Sequence, residues 1–393
     1  MKKLLLVIPE NSYKSNDFVV AAEKLGIDFL IITDSEQVSS KFSDTVIINK
    51  FDAELNNNNL KKLKDVTHVL PVDHSALKFS GYLVDLLEVK GNKLESINLS
   101  MNKYESRKIF NSLLDIKANN EIIKNIDDIN IFINKNGTSV LKPNYGTASK
   151  SVLKINNVEK NKEQIEKLMQ DCFDQDLVIE EYIDGKEYAL EGTIINSELK
   201  KIVIFDKPVE YKHPYFEESI YITPSELSSE AEKRVVSIVD KACKKIGLED
   251  GPVHVEFKIN ENQIFIIEIN PRMIGGLCSR CLSFGLFKVS LEEIILHAFM
   301  NNELKNIELL NNYVGVLMIP TPKSGKFISI NKKELENIPN ISNVEISVSE
   351  GSDLLEPPYG DKYLGFAFSQ GIDKKTVNES LLTAMNLANP IIE

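Results

Sequence analysis

The sequence predicts a mixed α/β and α+β protein. An open, mainly parallel α/β unit comes first, a larger part built on antiparallel strands follows, and an α+β extension closes the chain. Three observations predict this. Apolar strand segments alternate with helix-spaced segments over residues 1–99. From Ser100 the strands follow one another with turn residues between them. Two apolar strands near residue 260 carry acidic residues inside a strict alternation.

The elements justify that reading in order. KLLLVI is an apolar run read as a buried first strand rather than as a leader, because Pro9 and Glu10 end it after Ile8. Asp17 to Leu25 has helical spacing and stops at Gly26. DFLIIT, DTVIIN and THVLPV are three more strands, and Leu77 to Leu87 is a helix. The turn after the first strand, PENSYKSND, has no glycine, so a dinucleotide-binding fingerprint is absent. Met101 to Leu113 reads as one helix, then SVLKP, LVIEEYI, YALEGTIIN and KKIVIFD as strands. Asp184-Gly185 and Asn196 to Leu199 carry turn chemistry. Ser228 to Ile246 is a long amphipathic helix ended by Gly247, and Leu291 to Met300 is helical. YVGVLMIP, GKFISI, VEISV and LGFAFSQG are late strands before a final helix from Lys374 to Leu387. The composition changes suggest units 1–99, 100–304 and 305–393.

Composition narrows the function. The 393 residues carry a net charge of −12, which disfavours nonspecific binding to nucleic acid or to an anionic membrane. No apolar run approaches the ~20 residues of a membrane span, so the expected location is the cytoplasm. The four cysteines, Cys172, Cys243, Cys278 and Cys281, are too sparse for a disulfide scaffold and read as buried thiols.

The chemistry concentrates in PVHVEFKINENQIFIIEINPR. Val253, Val255, Phe257 and Ile259 alternate with His254, Glu256 and Lys258. If Glu261-Asn262-Gln263 is a three-residue loop, Asn260 pairs with Ile264, Glu256 lies opposite Glu268 and His254 lies opposite Asn270. Like charges directly across a ladder repel. A divalent cation resolves the conflict, and two carboxylates with an amide oxygen suit Mg²⁺. The competing reading leaves one Glu as an edge charge and pairs the other with Arg272 or Lys258.

The run EINPR, with a Glu twelve residues before Glu268, resembles the metal and phosphate end of the ATP-grasp superfamily. NKYESR, VLKPNYGTASKSV and VIEEYIDGKEYALEG follow the family's order. The segment VLPVDHSAL, the stretch Lys207 to Glu218 and the C-terminal extension resemble the amino-acid ligases that form dipeptides. The resemblance implies an ATP-grasp fold with an N-terminal parallel domain, a lid over about 117–179, a central antiparallel sheet and a C-terminal extension.

It also implies site roles. Lys103 and Lys142 would meet the ATP phosphates, and the loop Asn144 to Ser151, with Ser149, would offer them backbone N–H groups, although Gly146 is its one glycine. Glu180 would take the adenine amino group, with Glu181, Tyr182 and Ile183 completing the linker and Glu187 receiving the ribose. Glu256, Glu268 and Asn270 would hold Mg²⁺, for which Mn²⁺ can substitute. Arg272 is the candidate catalytic residue, a fixed guanidinium where phosphoryl transfer would occur. His213, Glu217, His254, Gly275 and Gly276 are candidates for the substrate pocket. The expected activity is an ATP-dependent carboxylate–amine ligase acting on amino acids or similar small molecules through an acyl phosphate. The expected partners are small molecules, with a homodimer as the assembly allowed for and no nucleic acid or membrane. The alternatives are a bicarbonate-activating enzyme of the same superfamily and a nucleotide-binding module without turnover.

Overall fold

The structure is a computed structural model and describes residues 2–10, 12–36, 43–51, 55–114, 116–146, 150–209, 215–216, 218–357, 359–360 and 362–393. The first unit follows the apolar runs. Its elements are β1 (Lys3–Ile8), α1 (Ser15–Lys24), β2 (Asp28–Thr33), β3 (Thr45–Ile47), α2 (Asn57–Leu63), β4 (His68–Pro71) and α3 (Leu77–Leu87). The four strands form a parallel sheet in the order β3-β2-β1-β4. Leu4 to Ile8 are all buried, which matches a strand covered on both faces and explains its continuous apolar run.

One expected helix divides in two. Residues Leu94–Met101 form α4 and Lys103–Asn111 form α5. Asn102 separates them because its side chain accepts a hydrogen bond from the Glu105 amide at 3.0 Å, capping α5.

A second sheet follows, built from β5 (Asn120–Ile123), β6 (Ser139–Pro143), β7 (Leu153–Ile155) and β8 (Leu177–Glu181), with α6 (Ile126–Asn136) and α7 (Lys162–Asp171). Its order is β5-β8-β6-β7, all antiparallel. Of these, β5, α6, β7 and α7 are additions to the sequence reading. The isoleucines of IDDINIFINKN hide a helix, yet Ile129, Phe132 and Ile133 share its buried face. Asn125 and Asp128 form a capping box that fixes its start.

The main sheet has eight strands, in the order β13-β12-β9-β10-β11-β14-β18-β16 once all are named. They are β9 (Lys186–Ile195), β10 (Glu198–Asp206), β11 (Ile220–Thr223), β12 (Gly251–Asn260), β13 (Gln263–Asn270), β14 (Tyr313–Ile319), β16 (Ile341–Ile346) and β18 (Gly365–Gly371). Every pairing in it is antiparallel. A small sheet holds β15 (Gly325–Ser329), β17 (Asp353–Leu354) and β19 (Ile391–Ile392). The remaining helices are α8 (Ser229–Ile246), α9 (Arg280–Gly285), α10 (Leu291–Asn301), α11 (Lys332–Glu336) and α12 (Lys374–Leu387). The late strands therefore extend the central sheet through the pairing of β11 with β14. Helix α8 buries Val235, Val239, Ala242 and Cys243 in a core shared with β9, β12 and β13, which makes a stiff floor under the acidic hairpin.

Candidate active site

The β12–β13 hairpin places Glu256 opposite Glu268 and His254 opposite Asn270. The route differs from the expected one. The turn holds two residues, so Asn260 pairs with Gln263 rather than with Ile264. Glu261 there takes a φ of 53°, a conformation of the primed hairpin turns. A bulge between Glu256 and Phe257 then leaves Ile267 without a partner across the ladder and restores the expected pairing at the acids. The turn and the bulge are each one residue out, in opposite senses, and they cancel at Glu268.

Arg107 holds that bulge. Its Nη1 donates to the Ile266 carbonyl at 2.7 Å and its Nη2 to the Ile267 carbonyl at 3.2 Å. Its Nε donates to Glu180 at 2.7 Å. The guanidinium is 1% exposed and lies over the Phe265 ring, 4.1 Å from its centroid. Sequence reading gives Arg107, within NKYESR, no role of its own. Its signal was a charge on the helix face that also carries Phe110.

Glu180 also receives Lys142 Nζ at 3.1 Å, so one buried carboxylate serves two cations. Burial pushes its pKa up, but Arg107 and Lys142 outweigh that and hold it at about 2. The Glu181 amide donates to the Asn119 carbonyl, and Lys258 Nζ donates to the Ile183 carbonyl at 3.1 Å. Among the described residues the Ile183 N–H has no partner, which leaves a backbone donor at the linker. The Tyr182 ring carries Lys154 Nζ at 3.6 Å and Lys258 Nζ at 4.3 Å.

Lys103 donates to the Gly146 carbonyl at 2.6 Å and lies 3.8 Å from Glu268. Burial lowers its pKa, partly countered by Glu268. Glu268 accepts from the Asn270 amide at 2.7 Å. Burial alone would raise the Glu268 pKa, yet Lys103, Asn270 and Arg272 bring it to about 2. Glu256 moves the other way. Burial raises its pKa, Lys207 opposes this, and the like charges of Glu218 and Glu268 reinforce it.

Lys207 is the hub beside it. Its Nζ meets Glu187 at 2.7 Å, Glu218 at 2.6 Å and Glu256 at 3.2 Å. Glu187, Glu218 and Glu256 each place an oxygen within 4.8 Å of the others. Sequence reading placed Lys207 and Glu218 in a pocket segment without seeing that they enclose Glu187, whose carboxylate is thereby tied to an ammonium.

His254 is buried against Glu191 through Nδ1 and lies 3.3 Å from Glu256 through Nε2. Burial would lower its pKa, but the Glu191 charge and hydrogen bond and the Glu256 contact raise it to about 9. At neutral pH it is therefore a cation. Arg272 donates to the Met273 carbonyl at 2.7 Å, and its buried Nε has no partner among the described residues. Gly275 borders open space, whereas a Cβ at Gly276 (φ 55°) would meet the Phe366 ring at 2.6 Å. Backbone shape and packing thus account for Gly276. Cys278 and Cys281 are free and buried, and burial pushes both thiols up, away from a reactive thiolate. Ser149, His213 and Glu217 lie outside the described residues.

The acid pair on the hairpin thus has Lys103 beside one member and Lys207 beside the other. Residues 136–281 match the family model of the ATP-grasp domain. Among curated relatives, alanine–anticapsin ligase from Bacillus amyloliquefaciens is 24% identical over 213 residues. That match covers 48% of this chain and 44% of the relative, so the chain spans less than half of that protein's length. Among solved structures, L-amino acid ligase from Bacillus licheniformis superposes with a TM-score of 0.81 at 20% identity, covering 100% of this chain and 99% of that one. N5-carboxyaminoimidazole synthetase from Staphylococcus aureus, complexed with ADP, gives 0.74 at 19% identity over 98% and 97%. The ATP-grasp fold predicted from the sequence is therefore present from end to end, with the parallel sheet first and antiparallel sheets after it. No helix among the described residues is long and apolar enough to cross a membrane.

Proposed function

We propose that the protein is an ATP-dependent carboxylate–amine ligase that joins amino acids or closely related small molecules. The observation that carries this reading is the opposition of Glu256 and Glu268 beside Lys103, Lys207 and Arg272. Making an acyl phosphate brings a carboxylate against a triphosphate, two anions that repel. The site answers with fixed cations on three sides.

The donor set fits Mg²⁺. Two opposed carboxylates offer oxygen only, the donor chemistry that a hard divalent cation takes. Glu256, Glu268 and the Asn270 amide oxygen would hold the ion, which when bound offsets charge on the transferring phosphoryl group. Lys103 and Lys142 then serve the other phosphate oxygens, and Lys142 would share itself between ATP and Glu180. The Ile183 N–H would read the adenine edge, with Glu180 and Glu181 beside it, and Glu187 would receive the ribose from its place on Lys207. Arg272 would stabilise the charge that spreads as the acyl phosphate forms. The sheet of β5 to β8 acts as the lid that excludes water, since an acyl phosphate would otherwise hydrolyse. The division at about 99 and 304 belongs to this reading, as does Mn²⁺ in place of Mg²⁺.

The test is an ADP-release screen over pairs of amino acids with mass spectrometry of the products. A new amide whose yield matches the ADP supports the ligase. ADP release that needs bicarbonate and yields no amide would point to bicarbonate activation. Nucleotide binding without release across the panel would indicate a binding module.

A further inference from the structure

One acid on the floor of the site has no role in that chemistry. Glu191 of β9 is 1% exposed. It stands directly across the ladder from His254, on the sheet face that also carries Glu256. A carboxylate taken out of water is costly unless its oxygens find donors. Both oxygens of Glu191 do. One meets His254 Nδ1, and the other accepts from the Ile274 amide at 3.0 Å.

The second contact spans the sheet. β12 lies between β9 and β13, so the chain that leaves β13 at Asn270 crosses over β12 before Ile274 reaches Glu191. Arg272 sits in the middle of that crossing. Its backbone is otherwise thinly tied. Pro271 has no N–H to donate, and the Arg272 amide bonds back to the Asn270 carbonyl at 2.8 Å, within the turn itself. Among the described residues the Met273, Gly275 and Gly276 amides make no hydrogen bond, which leaves Ile274 as the donor that the sheet holds. Burial of the Met273 and Ile274 side chains sets how deep the turn lies. The directional bond to Glu191 sets how it is rotated. Arg272 Nη1 rests on the Met273 carbonyl at 2.7 Å, one residue before the held amide, so the guanidinium moves with this stretch of backbone.

We propose that Glu191 is a positioning residue for phosphoryl transfer, a buried carboxylate on β9 that holds the Ile274 amide and so fixes the turn that carries Arg272. The role rests on the ligase reading, in which Arg272 meets the charge of the forming acyl phosphate while Glu191 touches neither nucleotide nor substrate. His254, on the other oxygen, ties the same carboxylate to the strand of Glu256. The guanidinium and the metal-binding acid thereby share one reference point. A misplacement of about 1 Å costs ~10²-fold in rate, which is the size of effect such a tether protects.

The test uses the full chain with Glu191→Met, which keeps the bulk and removes the acceptor, and Glu191→Gln, which keeps one oxygen for the Ile274 amide and turns its NH₂ to a neutral His254. Glu191→Met should lower kcat for ADP release ~10²-fold and leave the affinity for ADP with Mg²⁺ within about twofold. Glu191→Gln should restore kcat to within about threefold of wild type. Equal losses in the two variants would assign the effect to the charge beside His254 and overturn the proposal. Added to Arg272→Ala, Glu191→Met should cost less than about twofold more, because the two substitutions remove one device. Full additivity would overturn it as well.

Deuterium exchange reads the contact itself, by mass spectrometry with residue-level fragmentation. The Ile274 amide should be protected in the wild type and lose that protection in Glu191→Met. Free exchange in the wild type, or equal exchange in the two proteins, would overturn the tether. If Glu191→Met does not fold, Glu191→Asp takes its place in every comparison, since its carboxylate keeps the charge and falls one methylene short of the turn. Absent ADP release in the wild type would end the ligase reading, and exchange at Ile274 would then decide alone whether Glu191 holds this turn.

Discussion

Glu256 and Glu268 face each other, yet the pKa of Glu256 is raised and that of Glu268 lowered. Lys103 and Asn270 serve Glu268, whereas Glu256 shares Lys207 with two other acids. Arg272 stands just past the end of β13, with one guanidinium nitrogen anchored on its own turn and another buried and without a partner among the described residues. That combination suits a group waiting for a charge that appears only during reaction. Arg272→Ala should therefore lower kcat for ADP release by ~10²–10³ while leaving nucleotide affinity nearly unchanged. Steady-state kinetics with calorimetric titration of ADP checks both halves. A parallel loss of nucleotide affinity would place Arg272 on the bound nucleotide in its ground state.

At the scale of elements, the hairpin is set by its neighbour as much as by its own residues. The alternation in VHVEFKI made its strands legible, and the opposed acids followed. The bulge was not legible, because no glycine marks it and its cause lies in α5, far away in sequence. Arg107 fills the carbonyls that the bulge exposes and ties them to Glu180. For the same reason α6 was hidden, since its isoleucines suit either state and only its capping box decides. Breaking a buried pair by removing one partner costs ~3–5 kcal/mol. Arg107→Met should lose about that much in urea unfolding and should also weaken activity through the displaced Glu268.

Acid stability offers a second reading of this contact. The Glu180 pKa is depressed in the folded state, to about 2. Its contribution is fully present above the unfolded value of ~4.3 and is lost as pH falls from there through about 2. The stability of wild type should thus fall more steeply across that window than that of Glu180→Gln. Equal slopes in pH-dependent unfolding would mean that the two cations do not hold the carboxylate as described.

Across the whole molecule, contacts join the N-terminal sheet to the rest. Arg280 at the start of α9 meets Asp17 of α1 at 2.9 Å and Glu345 of β16 at 2.5 Å, linking the first and last parts of the chain. Lys90 meets Asp250 at 2.8 Å. His68 packs edge-on against Phe299 of α10, with ring centroids 5.4 Å apart. Burial, then Lys90 and Lys2, lower its pKa to about 4. A depressed histidine favours the fold above its unfolded value of ~6.5 and loses that advantage as pH falls toward about 4. His68→Gln should therefore show a flatter stability profile between those values, measured by chemical unfolding at stepped pH. A profile parallel to wild type would remove His68 from the joint. None of these joints could be read from the sequence, since each pairs residues from segments far apart along the chain.

The central claim is that a cation held by the two opposed acids grips a nucleotide triphosphate at this hairpin. The most direct measurement is a crystal structure with a non-hydrolysable ATP analogue and Mn²⁺, the ion located by its anomalous signal. The account predicts a manganese peak bound by Glu256 and Glu268, with the triphosphate reaching it past Lys103 and Lys142. A nucleotide bound elsewhere, with no metal peak between those two acids, would contradict it.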